Sequence, residues 1–137
     1  MKPEFEKIQN RPFHSFICRV VNRPKRPTLK EAWHFHPELE ICLTLESDGK
    51  RFVGNNISDY QEGDLVMFGK NLPHGFITEK KSVQYVIQMQ ESFLGDSFLE
   101  KPETKIIKEL FHRSKSCLLY TSPSPRDRTR SRMPSSA

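Results

Sequence analysis

Between residues 14 and 90 the chain alternates short apolar runs with turn residues, a pattern of strands rather than helices. SFICRVV (15–21) is apolar and β-branched, and the prolines of RPKRPT (23–28) make that stretch a connection. WHFHPELEICLTLE (33–46) alternates with period two, which predicts one strand with Ile41, Leu43 and Leu45 on one face. His34, His36 and, past Pro37, Glu40 fall on the other face. SDGK (47–50) contains Asp48-Gly49, a hairpin signal because both central turn positions favour positive φ. KRFVG (50–54), Asn55-Asn56 and ISDY (57–60) predict a second hairpin. QEGD (61–64) turns into LVMF (65–68), apolar enough for a strand covered on both faces. GKNLPHGF (69–76) is expected to be a loop that carries His74, and VQYVIQM (83–89) alternates again with Val83, Tyr85, Ile87 and Met89 on one side.

After Gln90 the period changes. Residues 91–100 are expected to form a short helix in spite of Gly95, which costs about 1 kcal/mol relative to Ala. Pro102 suits the first turn of a second helix, and Ile106, Ile107, Leu110 and Phe111 give it an apolar stripe. The stripe serves either to pack on the domain's own sheet or to meet a second copy in a homodimer. The predicted class is therefore mainly β, an antiparallel sandwich or barrel followed by one or two α-helices. Residues 1–90 form the barrel, 91–116 a helical dimerisation or linker segment, and 117–137 a tail.

The tail, CLLYTSPSPRDRTRSRMPSSA, is rich in Ser, Pro and Arg without apolar periodicity, the composition of a disordered segment. Its two ends, CLLYTSPSPRD and SRMPSSA, match the translation of a sequencing adapter, with Arg128, Thr129 and Arg130 at the place of a barcode. It is therefore set apart as an artefactual tail, and the natural chain is expected to stop near Ser116 as a fragment. Removing residues 117–137 is expected to leave stability unchanged.

That separation changes the charge. The whole chain has 22 Lys+Arg against 17 Asp+Glu, net +5. The tail holds Arg126, Arg128, Arg130 and Arg132 against Asp127, so about +2 is left for the rest, too little to argue for a phosphate-gripping surface. Cys18 and Cys42 lie in apolar strand-like runs, where a free thiol behaves as a small hydrophobe. Neither a secretory segment nor an apolar stretch of membrane-spanning length is visible, which points to a cytoplasmic protein that does not engage membranes.

The candidate chemistry lies in WHFHPELE and LPHGF. His34, His36 and Glu40 share a strand face, and His74 follows a hairpin and a strand later, enough chain to return to the same barrel mouth. Three imidazoles and a carboxylate suit a divalent first-row metal such as Fe, Mn, Ni or Zn, and four such ligands on an octahedral ion leave positions open. Glu38 replaces Glu40 if Pro37 introduces a bulge. The same residues, His34, His36, Glu38, Glu40 and His74, also serve as contacts to a small-molecule effector, or as a polar lining without an ion. Trp33 is assigned a packing role, and His14 and His112 are solvated. No nucleophile–base pair or phosphate-cradling loop is visible, so catalytic residues are not assigned.

H-x-H-x-x-x-E followed by GDLVMFGKNLPH resembles the two motifs of the cupins. The resemblance implies a double-stranded β-helix, or jelly roll, with His34, His36, Glu40 and His74 as the metal ligands. The glycine usual soon after the glutamate comes late here, as Gly49, and Pro73 stands directly before His74 where the second motif has P-x-G-x-x-H. More of the chain is similar to the N-terminal half of AraC-type transcriptional regulators: MKPEFEKI, WHFHPELEI, RFVGNNISDYQEGDLVMFGKNLPH and LEKPETKIIKELFHRSKS. That resemblance implies an effector-sensing and dimerisation domain that binds a small molecule, such as a sugar, and reaches DNA only through a helix-turn-helix half missing from this sequence. The alternative is a stand-alone metal-dependent cupin enzyme of dioxygenase or isomerase type.

Overall fold

The computed structural model describes residues 1–9, 13–24 and 28–120. Its strands are β1 (Glu4–Phe5), β2 (Phe16–Arg23), β3 (His34–Phe35), β4 (Leu39–Glu46), β5 (Gly49–Val53), β6 (Asn56–Tyr60), β7 (Leu65–Phe68), β8 (His74–Ile77), β9 (Ser82–Met89) and β10 (Leu118–Tyr120). Two helices accompany them, α1 (Leu29–Ala32) and α2 (Lys105–Arg113). One sheet has the order β1-β3-β8-β5-β6 and the other β10-β7-β4-β9-β2, so neighbours along the chain repeatedly sit in different sheets. Two facing sheets wound in this alternating way form a double-stranded β-helix, the mainly-β architecture expected.

The second sheet is covered on both sides. Cys42 lies opposite Val66 and Val86, and with Val53 and Phe68 these side chains fill the barrel interior. On the outer face Leu39, Met67 and Met89 are buried under Phe111 of α2, with Phe93, Leu99 and Leu118 beside it. This double burial explains why LVMF reads as unbroken apolar sequence: Val66 and Phe68 face in, Met67 faces out.

Several expectations are corrected. WHFHPELEICLTLE is not one strand: β3 belongs to one sheet and β4 to the other, and the chain crosses between them at His36–Glu38. Pro37, which lacks an N–H for either ladder, sits at this crossing. Asp48-Gly49 is likewise a sheet crossing and not a hairpin, because β4 and β5 do not pair. The positive φ falls on Ser47 (121°), and Gly49 is needed for close approach: a Cβ there would meet the Ile77 carbonyl oxygen at 2.2 Å. The β5–β6 hairpin is present, but its turn is Gly54-Asn55, one residue earlier than expected, with Gly54 at φ 54°. His74 opens strand β8 and pairs with His34, so it does not lie in a loop.

Residues 91–100 form turns and a 3-10 turn at Phe98–Glu100 instead of an α-helix, and Gly95 adopts φ 103° between them. A 3-10 turn at Pro102–Thr104 then leads into α2. Of the predicted stripe only Phe111 is buried; Ile106 is 79% exposed, and Ile107 and Leu110 lie at the margin. Cys42 is buried as expected, whereas Cys18 is exposed on the outer face of β2. The tail prediction also fails at its first residues: Leu118–Tyr120 pair antiparallel with Leu65–Met67, and Cys117 packs against the interior cluster. Residues 121–137, the rest of the predicted tail, lie outside the described residues.

Candidate metal and effector site

Three strands and the crossing between two of them bring the candidate ligands together. His34 comes from β3, His36 from the crossing beside Pro37, Glu40 from β4 and His74 from the start of β8. One ligand atom from each lies within 4.8 Å of the others. His36, Glu40 and His74 are at most 5% exposed, and His34 is part-buried at the mouth. Glu38 does not replace Glu40. Its carboxylate lies 3.6 Å from His36 Nδ1, behind the ring, while Glu40 faces the ring's other nitrogen.

The hydrogen bonds around the rings fix where their lone pairs point. Each Nδ1 donates to a backbone carbonyl: His34 to Ala32 (2.7 Å), His36 to Glu38 (3.1 Å) and His74 to Leu72 (2.7 Å). In a neutral imidazole the other nitrogen, Nε2, then carries the lone pair. His36 Nε2 lies 2.9 Å and His74 Nε2 3.5 Å from Glu40 Oε2, and His34 Nε2 lies 3.2 Å from Glu6. Lone pairs facing a carboxylate repel it, so the arrangement calls for positive charge between them, either a proton or a metal ion. His74 Nε2 is buried with no hydrogen-bond partner, as such a position requires.

The protonation tendencies follow from the same geometry. Burial alone would push His36 down, but the Glu40 hydrogen bond and the charges of Glu40, Glu6 and Glu38 together raise it above the usual histidine value. Burial and the neighbouring His74 lower His34. Burial opposes the charge on Glu40, yet its hydrogen bond to His36 and the His74 ring 3.5 Å away hold it well below the usual carboxylate range. Gln88 adds a further donor, its Nε2 lying 2.9 Å from Glu40 Oε2.

The donor set fits a first-row divalent ion. Metal–nitrogen bonds of about 2.0–2.1 Å place opposite ligands roughly 4.2 Å apart, so ligand atoms within 4.8 Å need to close by about half an ångström. Fixed tautomers and carbonyl partners on Nδ1 are the outer-sphere support that such sites use. Phe68 stacks on His74 with ring centroids 4.1 Å apart and interplanar angle 11°, which restrains that ring further.

Sequence reasoning missed the cavity beside this cluster. It has a volume of about 30 Å³, and its walls include Arg19, Val21 and Arg23 of β2, Phe76 of β8, and Gln84 and Gln88 of β9. The signal was available: in β2 every second residue, Arg19, Val21 and Arg23, takes the inner face, but the run reads as apolar. Trp33 caps α1 and is part-buried, while His14 and His112 are exposed, as expected.

The fold and the cluster together define a double-stranded β-helix barrel with four residues at its mouth that could hold a metal ion. Among solved structures the chain is similar to ToxT from Vibrio cholerae O395 bound to (E)-4-(8-methylnaphthalen-1-yl)but-3-enoic acid. The two share 16% identity at a TM-score of 0.50, over 85% of this chain and 46% of ToxT. A second ToxT structure, the P21 form from Vibrio cholerae, gives the same figures. A cupin 2 conserved barrel domain protein from Salinispora arenicola has 13% identity over 65% of this chain and 76% of its own, at a TM-score of 0.49. The chain thus spans about half the length of ToxT, and at these identities the likeness is one of fold. No protein-family model and no curated protein matches the chain.

Proposed function

We propose that this chain is the effector-sensing half of an AraC-type transcriptional regulator, with His34, His36, Glu40 and His74 holding a divalent metal at the mouth of its barrel. One observation supports the metal above all. Every histidine of the cluster commits Nδ1 to a backbone carbonyl, so that the Nε2 lone pairs of His36 and His74 face the buried Glu40 carboxylate and that of His34 faces the half-exposed Glu6. A bound first-row ion would accept those lone pairs and keep positions open for an oxygen donor of the effector or for water. Glu40 and Gln88 orient the inner side of the site, while Glu6 and His34 form its rim.

The regulatory part of the reading rests on the AraC-like motifs, the shared fold with ToxT and the carboxylic acid bound in that protein. An effector that binds one arrangement of the barrel better than another shifts the population by its difference in affinity, and DNA binding by a further half of the protein would respond to that shift. The whole protein works as a homodimer in the cytoplasm on this reading. Among the described residues no helix is long and apolar enough to cross a membrane.

Titration of the chelator-stripped chain with Mn(II), Fe(II), Ni(II) and Zn(II) tests the metal directly. One ion per chain is expected, lost on His74→Ala. Binding that survives this substitution places the ion elsewhere. Catalytic turnover of a small substrate by the loaded protein would instead favour the metal-dependent cupin enzyme, which draws on the same four ligands.

A further inference from the structure

The cavity beside the histidines has a chemical character of its own. Antiparallel pairing places Arg19 opposite Val86, Val21 opposite Gln84 and Ile17 opposite Gln88, and paired residues share a face. Gln84, Val86 and Gln88 are buried, so Arg19 and Arg23 point their stems toward the barrel interior from either side of Val21. Arg23 reaches far enough for its charge to act on the buried Cys42 thiol, which burial and then Glu40 push up and Arg23 and Arg51 pull back.

The charges in this cavity are unequally matched. Glu40 accepts from Gln88 and His36, and His74 Nε2 lies 3.5 Å away. Glu6 is shared between Arg19, at 3.7 Å, and His34, at 3.2 Å. Arg23 has no carboxylate partner among the described residues. Arg23 lines the cavity while staying exposed to solvent, so its uncompensated charge is available to an anion that enters there. Gln88 supplies a second, independent demand: it is 2% exposed and its Oε1 lacks any hydrogen-bond partner, so a donor is wanted there.

We propose that the ligand of this barrel is a small hydroxycarboxylate, its carboxylate held by Arg23 and Arg19 and its hydroxyl donating to Gln88 Oε1, with Val21, Phe76 and Val86 against its carbon skeleton. This deepens the sensor reading and rests on it. The cavity of about 30 Å³ has room for roughly two waters, enough for the carboxylate itself. The rest of the molecule enters where Arg19 meets Glu6. That ion pair is long and its side chains are 47% and 37% exposed, so it contributes little and opens readily. A neutral sugar would leave Arg23 unmatched, and a plain fatty acid would leave Gln88 Oε1 unmatched.

Three-carbon probes separate these cases by calorimetry on the chelator-stripped full chain: lactate, propionate and glycerol. Lactate is expected to bind more tightly than both. Arg23→Gln is expected to weaken lactate by roughly 10–100-fold, the loss of one charged hydrogen-bonding partner. Zinc stoichiometry of that variant, measured separately, is expected to stay as in the parent, since Arg23 is not among the four ligands; this also shows that the variant folds. Glycerol binding as tightly as lactate, lactate binding unaltered by Arg23→Gln, or no lactate binding at millimolar concentration each overturns the proposal. Loss of lactate binding with zinc retained in the parent removes this inference alone, whereas lactate binding without zinc removes the metal reading and keeps this one.

Discussion

Replacing Glu40 by glutamine separates the metal-binding role of this residue from its structural role. In the metal-free protein below the raised titration range of His36, its protonated Nε2 donates to Glu40 at 2.9 Å, a charge-assisted bond in a site 5% exposed or less. Glutamine keeps the shape. His36 Nε2 and Gln88 Nε2 both meet the same oxygen, Oε2, so with the amide oxygen in that place both keep an acceptor, but a neutral one, and bonds to a charged group worth about 1.5–3 kcal/mol weaken toward the neutral range of about 0.5–1.5 kcal/mol. Removal of a buried ion pair offsets part of that difference, and the net change in metal-free stability is expected to be within about 1 kcal/mol.

Metal binding responds differently, because the anionic ligand is gone. Loss of an outer-sphere partner alone costs about 10–100-fold in affinity, and loss of a direct ligand at least about 100-fold. At a metal concentration about 100 times the parent's Kd, binding stabilises the parent by about 2.7 kcal/mol and the variant by only about 0.4 kcal/mol. For a chain of this size 1 kcal/mol moves Tm by roughly 3–5 °C, so the metal-induced shift is expected to fall from about 10 °C to about 1–2 °C. Thermal melts of both proteins with and without metal read all four states. Equal metal-induced shifts in the two, or a metal-free variant less stable by more than about 3 kcal/mol, would refute the assignment of Glu40 as a ligand poised against histidine lone pairs.

Proton release gives a second measure. His36 is raised above the usual value of 6.5, so near pH 6.5 it is mostly protonated and its contribution to metal-free stability is lost as pH rises through its raised value. Metal must expel that proton, so affinity is expected to rise with pH from about 5.5 to 8, and calorimetry in buffers of different ionisation enthalpy should detect proton release at pH 6.5. Affinity independent of pH would mean that His36 is not a ligand. Gly49→Ala drives a Cβ to 2.2 Å from the Ile77 carbonyl oxygen and is expected to cost about 1–3 kcal/mol in urea melts; an unchanged midpoint would mean that the β5–β8 edge yields freely. Truncation after Tyr120 is expected to leave Tm unchanged, whereas truncation after Ser116 removes strand β10 and the contacts of Cys117 and Leu118 and is expected to lower it by several degrees. Identical melts for the two truncations would place residues 117–120 outside the fold.

The class of fold and the four residues that cluster at the barrel mouth were legible in the sequence because both depend on short-range pattern. Alternation marks which residues share a face, and His34, His36 and Glu40 alternate even across the break at Pro37. What the pattern could not show is which strand pairs with which. Asp48-Gly49 has hairpin chemistry, but the partners that would close a hairpin lie in different sheets, and Gly49 answers to the Ile77 carbonyl, a contact far off in sequence. The α1 helix was missed although Thr28 and Glu31 form a complete capping box, because the prolines before it dominated the reading. Residues 91–100 failed for the opposite reason: their apolar spacing suits a helix, but Gly95 bends the chain so that Phe93 and Leu99 reach the outer face of the sheet.

Leu39 and Glu40 are consecutive, and they look in opposite directions through the same sheet. Glu40 reaches the histidines inside the barrel, while Leu39 is fully enclosed beneath Phe111 of helix α2. A tug of a few tenths of an ångström on the inner carboxylate is therefore felt immediately under the outer helix, with one peptide unit as the whole length of the lever.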